Sequence, residues 1–316
     1  MEPIGDIDFA RQLEREQRIE VARLVVAQWD IHATDECAAV VGSSARGWFD
    51  DTSDVDVAIV SPFPNRAELE DRYSRSQVSV TYVARSKIEA LCSSRYTDLE
   101  GLRLLSNMSA GITVAGNDYI VAAAAQANTR AALKPEICDF YLRIAQSRST
   151  CLLDIKGTER LSWLNEGLQA ALLLLCALSP LRLLKLKWTM RTIESFAPEA
   201  ARACELLFAA LNCSTAYRKQ KAALVDQAFQ DDSRAIRHIC RQLAAVGRAK
   251  SLPLTTTDHL QLCLVSELCR TSGHFDQLAA DIDWPAIDKL LAEITRMAVR
   301  RVEVAMNDDN PELLAR

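Results

Sequence analysis

The aspartates Asp54 and Asp56 are the residues whose types and spacing point most directly to chemistry. They begin an apolar run, residues 55–60, that is typical of a buried strand. Side chains alternate along a strand, so both carboxylates are expected to face one side, about 6.6 Å apart along the backbone. Like charges this close are unfavourable unless a cation lies between them, and Mg²⁺ prefers carboxylate and phosphate oxygens. We therefore predict that Asp54 and Asp56 hold a magnesium ion.

A glycine-serine pair, Gly42 and Ser43, follows the preceding apolar run. Glycine permits a tight turn and a close approach of the backbone to a ligand. Ser43 can offer a hydroxyl and an amide at the start of a helical turn, where anions are favoured. The pair is therefore predicted to bind a phosphate group.

The region from Gly42 to Asp56 resembles the motif of the nucleotidyltransferase superfamily typified by DNA polymerase β. The likeness is to its bacterial branch, which reads Gly-Ser-x-Ala-Arg-Gly followed by Ser-Asp-x-Asp. The matching residues, in order, are Gly42, Ser43, Ala45, Arg46, Gly47, Ser53, Asp54 and Asp56. The resemblance implies that the two aspartates bind Mg²⁺ with a nucleoside triphosphate, expected to be ATP. It also implies that Gly42 and Ser43 contact its β- and γ-phosphates.

One position departs from the pattern of that superfamily. A third carboxylate usually lies on a later strand, and the corresponding residue in the run at 78–83 is Ser79. A serine cannot replace a carboxylate as a metal ligand or as a base near neutral pH. Three explanations stay open: another acid enters the site, the third strand is misaligned, or the protein binds nucleotide without turning it over. The acids nearest in sequence are Asp50, Asp51, Asp98 and Glu100.

The elements that would position these residues alternate between strands and helices up to residue 117. We predict an opening amphipathic helix over 7–32, strands at 37–41, 55–60, 78–83 and 111–116, and helices at 86–92 and 98–107. Ser86 is predicted to cap its helix, with Glu89 completing a capping box. Residues 1–117 are thus predicted to form a small mixed-sheet nucleotidyltransferase domain.

Residues 118–316 carry a helical pattern, so the whole chain is predicted to be α+β, with the second domain an all-α bundle. Predicted helices include 119–133, 136–155, 159–178, 180–196 and 284–304. Lys187 and Trp188 resemble a lysine-aromatic pair of small-molecule nucleotidyltransferases that have a helical second domain. The resemblance gives Lys187 a secondary role in phosphate binding, with Arg191 on the same helix face. The alternative is an ordinary solvated basic face.

Composition limits the partners and the compartment. A net charge of −5 argues against a surface built to coat nucleic acid. The ten scattered cysteines are interpreted as reduced thiols of a cytoplasmic protein. The longest apolar stretch, residues 170–178, is far shorter than the about 20 residues that cross a bilayer, so no membrane association is expected.

The sequence therefore predicts an enzyme that moves a nucleoside monophosphate, expected to be AMP from ATP, onto a small-molecule acceptor. The layout resembles that of aminoglycoside adenylyltransferases. A transferase acting on tRNA or protein, as toxins do, is an alternative. Another is a non-catalytic nucleotide-binding or antitoxin-like protein, which the serine at position 79 motivates.

Overall fold

The computed structural model describes residues 4–27, 37–49, 53–61, 78–157, 159–182, 184–228, 233–246, 254–272 and 281–307. Its contacts divide the chain into two compact units, Met1–Leu133 and Lys134–Arg316. The first unit contains a small mixed sheet and the second is helical, so the predicted α+β class is confirmed. The domain boundary predicted after residue 117 stays a prediction.

The first unit is built on a four-stranded sheet. In chain order, the strands of the described residues are β1 Cys37–Val41, β2 Val55–Ser61, β3 Val78–Ala84, β4 Tyr96–Thr97, β5 Ile112–Gly116 and β6 Ala132–Leu133. The sheet order is β3-β2-β1-β5. Strand β1 runs antiparallel to both its neighbours, whereas β2 and β3 are parallel. The short strands β4 and β6, which the sequence did not predict, pair separately.

One face of this sheet is apolar because alternate residues of β2 and β3 are β-branched. Val55, Val57 and Ile59 are buried in one core cluster with Val78. Helix α1, Ile4–Val26, adds Ala22 and Val26 to that cluster. The opposite face of β2 is therefore the one left for polar residues near the start of the strand.

The other helices of the first unit are α2 Gly42–Ala45, α3 Arg85–Ser93, α4 Leu99–Ser109 and α5 Tyr119–Arg130. Three expectations need correction. Helix α1 ends at Val26, and the predicted end at residue 32 lies outside the described residues. Helix α3 begins before Ser86: Ala84 is its N-cap without a side-chain bond, and Glu89 pairs with Arg85. Helix α5 stops before β6 rather than continuing to residue 133.

The second unit consists of helices packed on a central apolar one. They are α6 Pro135–Cys151, α7 Glu159–Leu178, α8 Thr189–Phe196, α9 Pro198–Cys213, α10 Thr215–Ala228, α11 Arg234–Val246, α12 Leu254–Ser272 and α13 Trp284–Asn307. Gly167 of α7 lets α6 approach closely, since a Cβ there would lie 2.7 Å from Arg148 Cβ. The buried leucines of α7 form much of this core.

The prediction of a helix over residues 180–196 is wrong for the first part of that range. Ser179 Oγ donates to the carbonyl of Cys176 and accepts the Arg182 amide, both at 3.0 Å, which closes a turn at the end of α7. Arg182 then has φ +45°, which no right-handed helix allows. Helical structure resumes with a 3₁₀ turn at Leu186–Trp188 and with α8.

Helix α7 is also the one helix of the described residues that is long and apolar enough to cross a membrane by length and composition. Of its most apolar window, 61% is buried inside the fold, which is typical of the core helix of a soluble protein.

All ten cysteines are free thiols, and most are buried. Burial raises the pKa of Cys37 and of Cys138 to about 11, so these thiols are poorly reactive near neutral pH.

Candidate active site

The two predicted metal ligands lie at the beginning of β2. Asp54 immediately precedes the strand and is exposed, and Asp56 is half-buried as its second residue. Asp56 pairs with Val41, the last residue of β1, so it lies beside the start of α2. The alternation along β2 directs both aspartates away from the apolar cluster that contains Val57. The strand thus presents two carboxylates on one polar face.

Gly42 lies directly against one of these carboxylates. Its φ of +69° is in the left-handed region that favours glycine. A Cβ at this position would lie 2.8 Å from Asp56 Oδ2, too close for ordinary contact. Trp48 donates its amide to the carbonyl of Ser43 at 2.8 Å and closes the turn. Gly42 and Ser43 are both buried, so the predicted phosphate-binding turn is a compact structure built around Asp56.

Helix α1, which packs on the apolar face of the sheet, holds the segment before Asp54 in place. The Arg18 guanidinium donates to the carbonyl of Ser53 at 2.6 Å and lies 4.4 Å from the centroid of the Phe49 ring. Arg15 donates to the carbonyl of Ala45 at the end of α2. These two arginines are positioning residues that the sequence analysis did not identify, because arginines on a helix usually face solvent.

Ser44 and Arg46 complete this support. Ser44 Oγ donates to the carbonyl of Asp54 at 3.1 Å and ties α2 to the start of β2. Arg46 donates to the Ser106 carbonyl and, at 3.0 Å, to its hydroxyl, so it anchors the turn to α4. Burial lowers the pKa of the Arg46 guanidinium, which stays charged. Arg46 therefore braces the glycine-serine turn against a helix.

Ser79 lies opposite Asp56 in the parallel pairing of β2 with β3. Adjacent strands are about 4.8 Å apart, so residue 79 is next to the metal-ligand candidate on the same face. The strand alignment made from the sequence is thus consistent with the register, and the position that would carry a third acid carries a hydroxyl. Among the described residues, no three His, Cys, Asp or Glu side chains are grouped so that they could hold a metal.

Two of the acids considered as replacements are engaged elsewhere. Asp98 caps helix α4 by accepting the Gly101 amide at 2.7 Å. Glu100 forms an ion pair with Lys87 on the surface. Asp50 and Asp51, the other two, lie outside the described residues. Among the described residues, the acids that the alternation along β2 places on this face are Asp54 and Asp56.

The donor set fits a hard divalent cation that is shared with a phosphorylated ligand. Asp54 and Asp56 supply carboxylate oxygens, and Mg²⁺ is commonly bound by one or two carboxylates together with substrate phosphates. The missing side chain at Gly42 leaves space against Asp56 Oδ2 that a larger residue would fill. The pair can therefore take part in holding one such ion, whereas the described residues do not supply the third acid that a second ion with a base would need.

Lys187 lies in the second unit, in the 3₁₀ turn before α8. Its Nζ is 5.1 Å from the centroid of the fully buried Trp188 ring, and Arg191 Cζ is 6.0 Å from the same centroid. Both cations thus lie near one tryptophan, and Lys187 is in a 3₁₀ turn rather than in the α-helix for which a shared face was predicted. Its role in phosphate binding stays a prediction.

Residues 20–105 match a family model described as a nucleotidyltransferase domain. The match runs from the last part of α1 through most of α4 and includes the glycine-serine turn, both aspartates and Ser79. It supports the polymerase β-like superfamily and a nucleotidyl transfer function. No curated protein matches the chain.

Proposed function

We propose that the protein is a magnesium-dependent nucleotidyltransferase that moves AMP from ATP onto a small-molecule acceptor, in the manner of aminoglycoside adenylyltransferases. One observation carries the proposal: Asp56 is held against Gly42 in the glycine-serine turn, with Asp54 beside it on the same strand face. The match of residues 20–105 to a nucleotidyltransferase domain supports the reaction class. The ten free cysteines favour a reducing compartment, and we propose the cytoplasm.

In this proposal, Asp54 and Asp56 hold the ion, and Gly42 and Ser43 contact the β- and γ-phosphates. A bound magnesium ion would offset the negative charge of the triphosphate and of the leaving pyrophosphate. The acceptor hydroxyl displaces pyrophosphate from the α-phosphorus. Ser79 cannot take the proton of that hydroxyl, so another group or water must accept it.

A second candidate is a protein that binds the nucleotide without transferring it. The observation that favours it is the serine directly opposite Asp56, in a site where the described residues offer no third acid. One ion can still bind the triphosphate with two aspartates. Activation of the acceptor is the step that would be lost.

The first experiment measures ATP binding through the melting temperature with and without Mg²⁺. ATP with Mg²⁺ should raise the melting temperature of the wild type, and the shift should be lost in Asp54→Asn and Asp56→Asn. Glu89→Gln is the control, since it removes an exposed carboxylate of α3 that pairs with Arg85. An unchanged shift in both aspartate variants would reject the site.

The second experiment separates the candidates by following the α-phosphate of labelled ATP into metabolites, tRNA and protein. Label in small molecules supports the proposed transfer, and label in tRNA or protein identifies a macromolecular acceptor. Magnesium-dependent ATP binding without label in any fraction would favour the non-catalytic candidate. The absence of both binding and transfer would contradict both.

A further inference from the structure

A cleft of about 350 Å³ lies in the helical unit where α7, α9 and α13 pack together. This volume falls in the range of roughly 300–1,000 Å³ that holds small organic molecules. We call it the arginine cleft; its lining residues are Leu175, Ala197, Glu199, Glu293, Arg296, Met297, Arg300 and Arg301. None of them belongs to the candidate active site, and all lie in the second unit.

Three exposed arginines line the arginine cleft, and none of them forms an ion pair with another described residue. Arg296 and Arg300 are separated by one helical turn of α13, and Arg301 follows directly. Within the part of the chain that the structure describes, none of the three has a carboxylate within 4.0 Å, although Glu293 is three residues from Arg296. Like charges at this spacing destabilise a helix. An anion bound in the cleft would remove that repulsion.

One of these arginines is already held in place. The Arg301 guanidinium lies 4.8 Å from the centroid of the Phe196 ring, at the end of α8. Stacking on an aromatic ring restrains a guanidinium while leaving its N–H edge available. Guanidinium N–H groups match the oxygens of phosphate in paired hydrogen bonds. The cleft therefore has a restrained donor beside two further cations.

The remaining lining residues indicate what else the ligand must carry. Met297 is the partly exposed member of an apolar floor whose other two residues, Leu175 and Ala197, are buried, so a carbon skeleton could lie on Met297. The carboxylates of Glu199 and Glu293 accept hydrogen bonds, and so they suit hydroxyl groups. A bare inorganic anion would leave the floor and both acids without a partner. An organic anion with several hydroxyls would engage all three parts.

We propose that the arginine cleft is a second ligand site, which binds the phosphate monoester of a polyhydroxylated small molecule. The phosphate binds Arg296, Arg300 and Arg301, the carbon skeleton lies on the apolar floor, and the hydroxyls donate to the two glutamates. This site is independent of the proposed nucleotidyl transfer, since the two share no residue.

The test uses glucose 6-phosphate as the probe, with inorganic phosphate and glucose as comparisons, in calorimetric titrations of the full chain without ATP. Glucose 6-phosphate should bind more tightly than phosphate, and glucose should not bind. Replacing Arg296 and Arg300 by glutamine should weaken binding about tenfold or more, because two charge-assisted contacts are lost. The double lysine variant keeps the charge but not the planar donor pair. Its affinity for glucose 6-phosphate should fall between those of the wild type and the double glutamine variant.

Arg202→Gln is the matched control, since Arg202 is exposed on α9 outside the cleft and pairs with Glu205. Its affinity should equal that of the wild type, and Asp54→Asn should also retain binding. The melting temperature of each variant without ligand establishes that it is folded. The proposal is overturned if glucose 6-phosphate does not bind at millimolar concentration or binds no better than phosphate. It is also overturned if the Arg202 and cleft variants weaken binding equally.

Discussion

Replacing Gly42 by alanine tests the contact on which the candidate active site depends. The left-handed backbone costs a residue with a Cβ about 1–2 kcal/mol, and the reduced freedom of the unfolded chain offsets about 0.4–1 kcal/mol of this. The new Cβ would lie 2.8 Å from Asp56 Oδ2, whereas ordinary contact begins near 3.4 Å. The carboxylate must therefore move by about 0.6 Å, and displacements of this order in a catalytic group cost roughly tenfold or more in rate.

Gly47→Ala provides a matched comparison. Gly47 has the same φ of +69°, but a Cβ there would meet only Arg15 Cδ, at 3.9 Å. Both variants should lose about 1 kcal/mol of unfolding free energy in urea. Only Gly42→Ala should lose magnesium-dependent ATP binding, measured by titration, together with any transfer of AMP. Equal ATP affinity in the two variants would refute the reasoning that Gly42 makes room for Asp56.

Three further predictions concern the polar face of β2 and β3 and the interiors of the two units. Ser79→Asp should increase transfer of labelled AMP because it restores an acid opposite Asp56, whereas Ser79→Asn should not; equal rates in the two variants would contradict this. Burial lowers the pKa of His259 to about 4 from its ordinary value of 6.5, so the unfolded state binds the extra proton first. The unfolding free energy should then fall by about 3 kcal/mol between pH 6.5 and 4 in urea titrations, and His259→Gln should flatten this dependence. Gly101→Ala should lower the melting temperature and cost about 1–3 kcal/mol in urea unfolding, since its Cβ would lie 2.0 Å from Thr97 Oγ1; a neutral effect would refute this steric argument.

The strands that carry the site could be predicted from sequence because their apolar residues are contiguous or alternate. The predicted runs 37–41, 55–60 and 78–83 differ from β1, β2 and β3 by at most one residue at the end. The position of Asp56 on the polar face followed from the same alternation. The pairing of Asp56 with Ser79 did not, since the register of a parallel pair depends on packing between distant segments.

Other features were missed because they arise from tertiary contacts. The prediction that Ser86 caps its helix was wrong. Strand β3 continues to Ala84 and leads directly into α3, so no side chain caps this helix. Strands β4 and β6 have two residues each, too few to show a period. The turn that Ser179 closes after α7 interrupts a segment of strong helix formers.

The contacts of Arg18 make the first aspartate depend on a distant helix. This guanidinium holds Phe49 on one side and the carbonyl of Ser53 on the other, so both flanks of a short connection are fastened to α1. The family-model match begins at residue 20, just beyond this arginine. A homologue that retained every motif residue but had lost the arginine would look intact in a sequence comparison, yet the strand edge that carries Asp54 would be poorly anchored. The integrity of such sites is therefore best judged with the opening helix included.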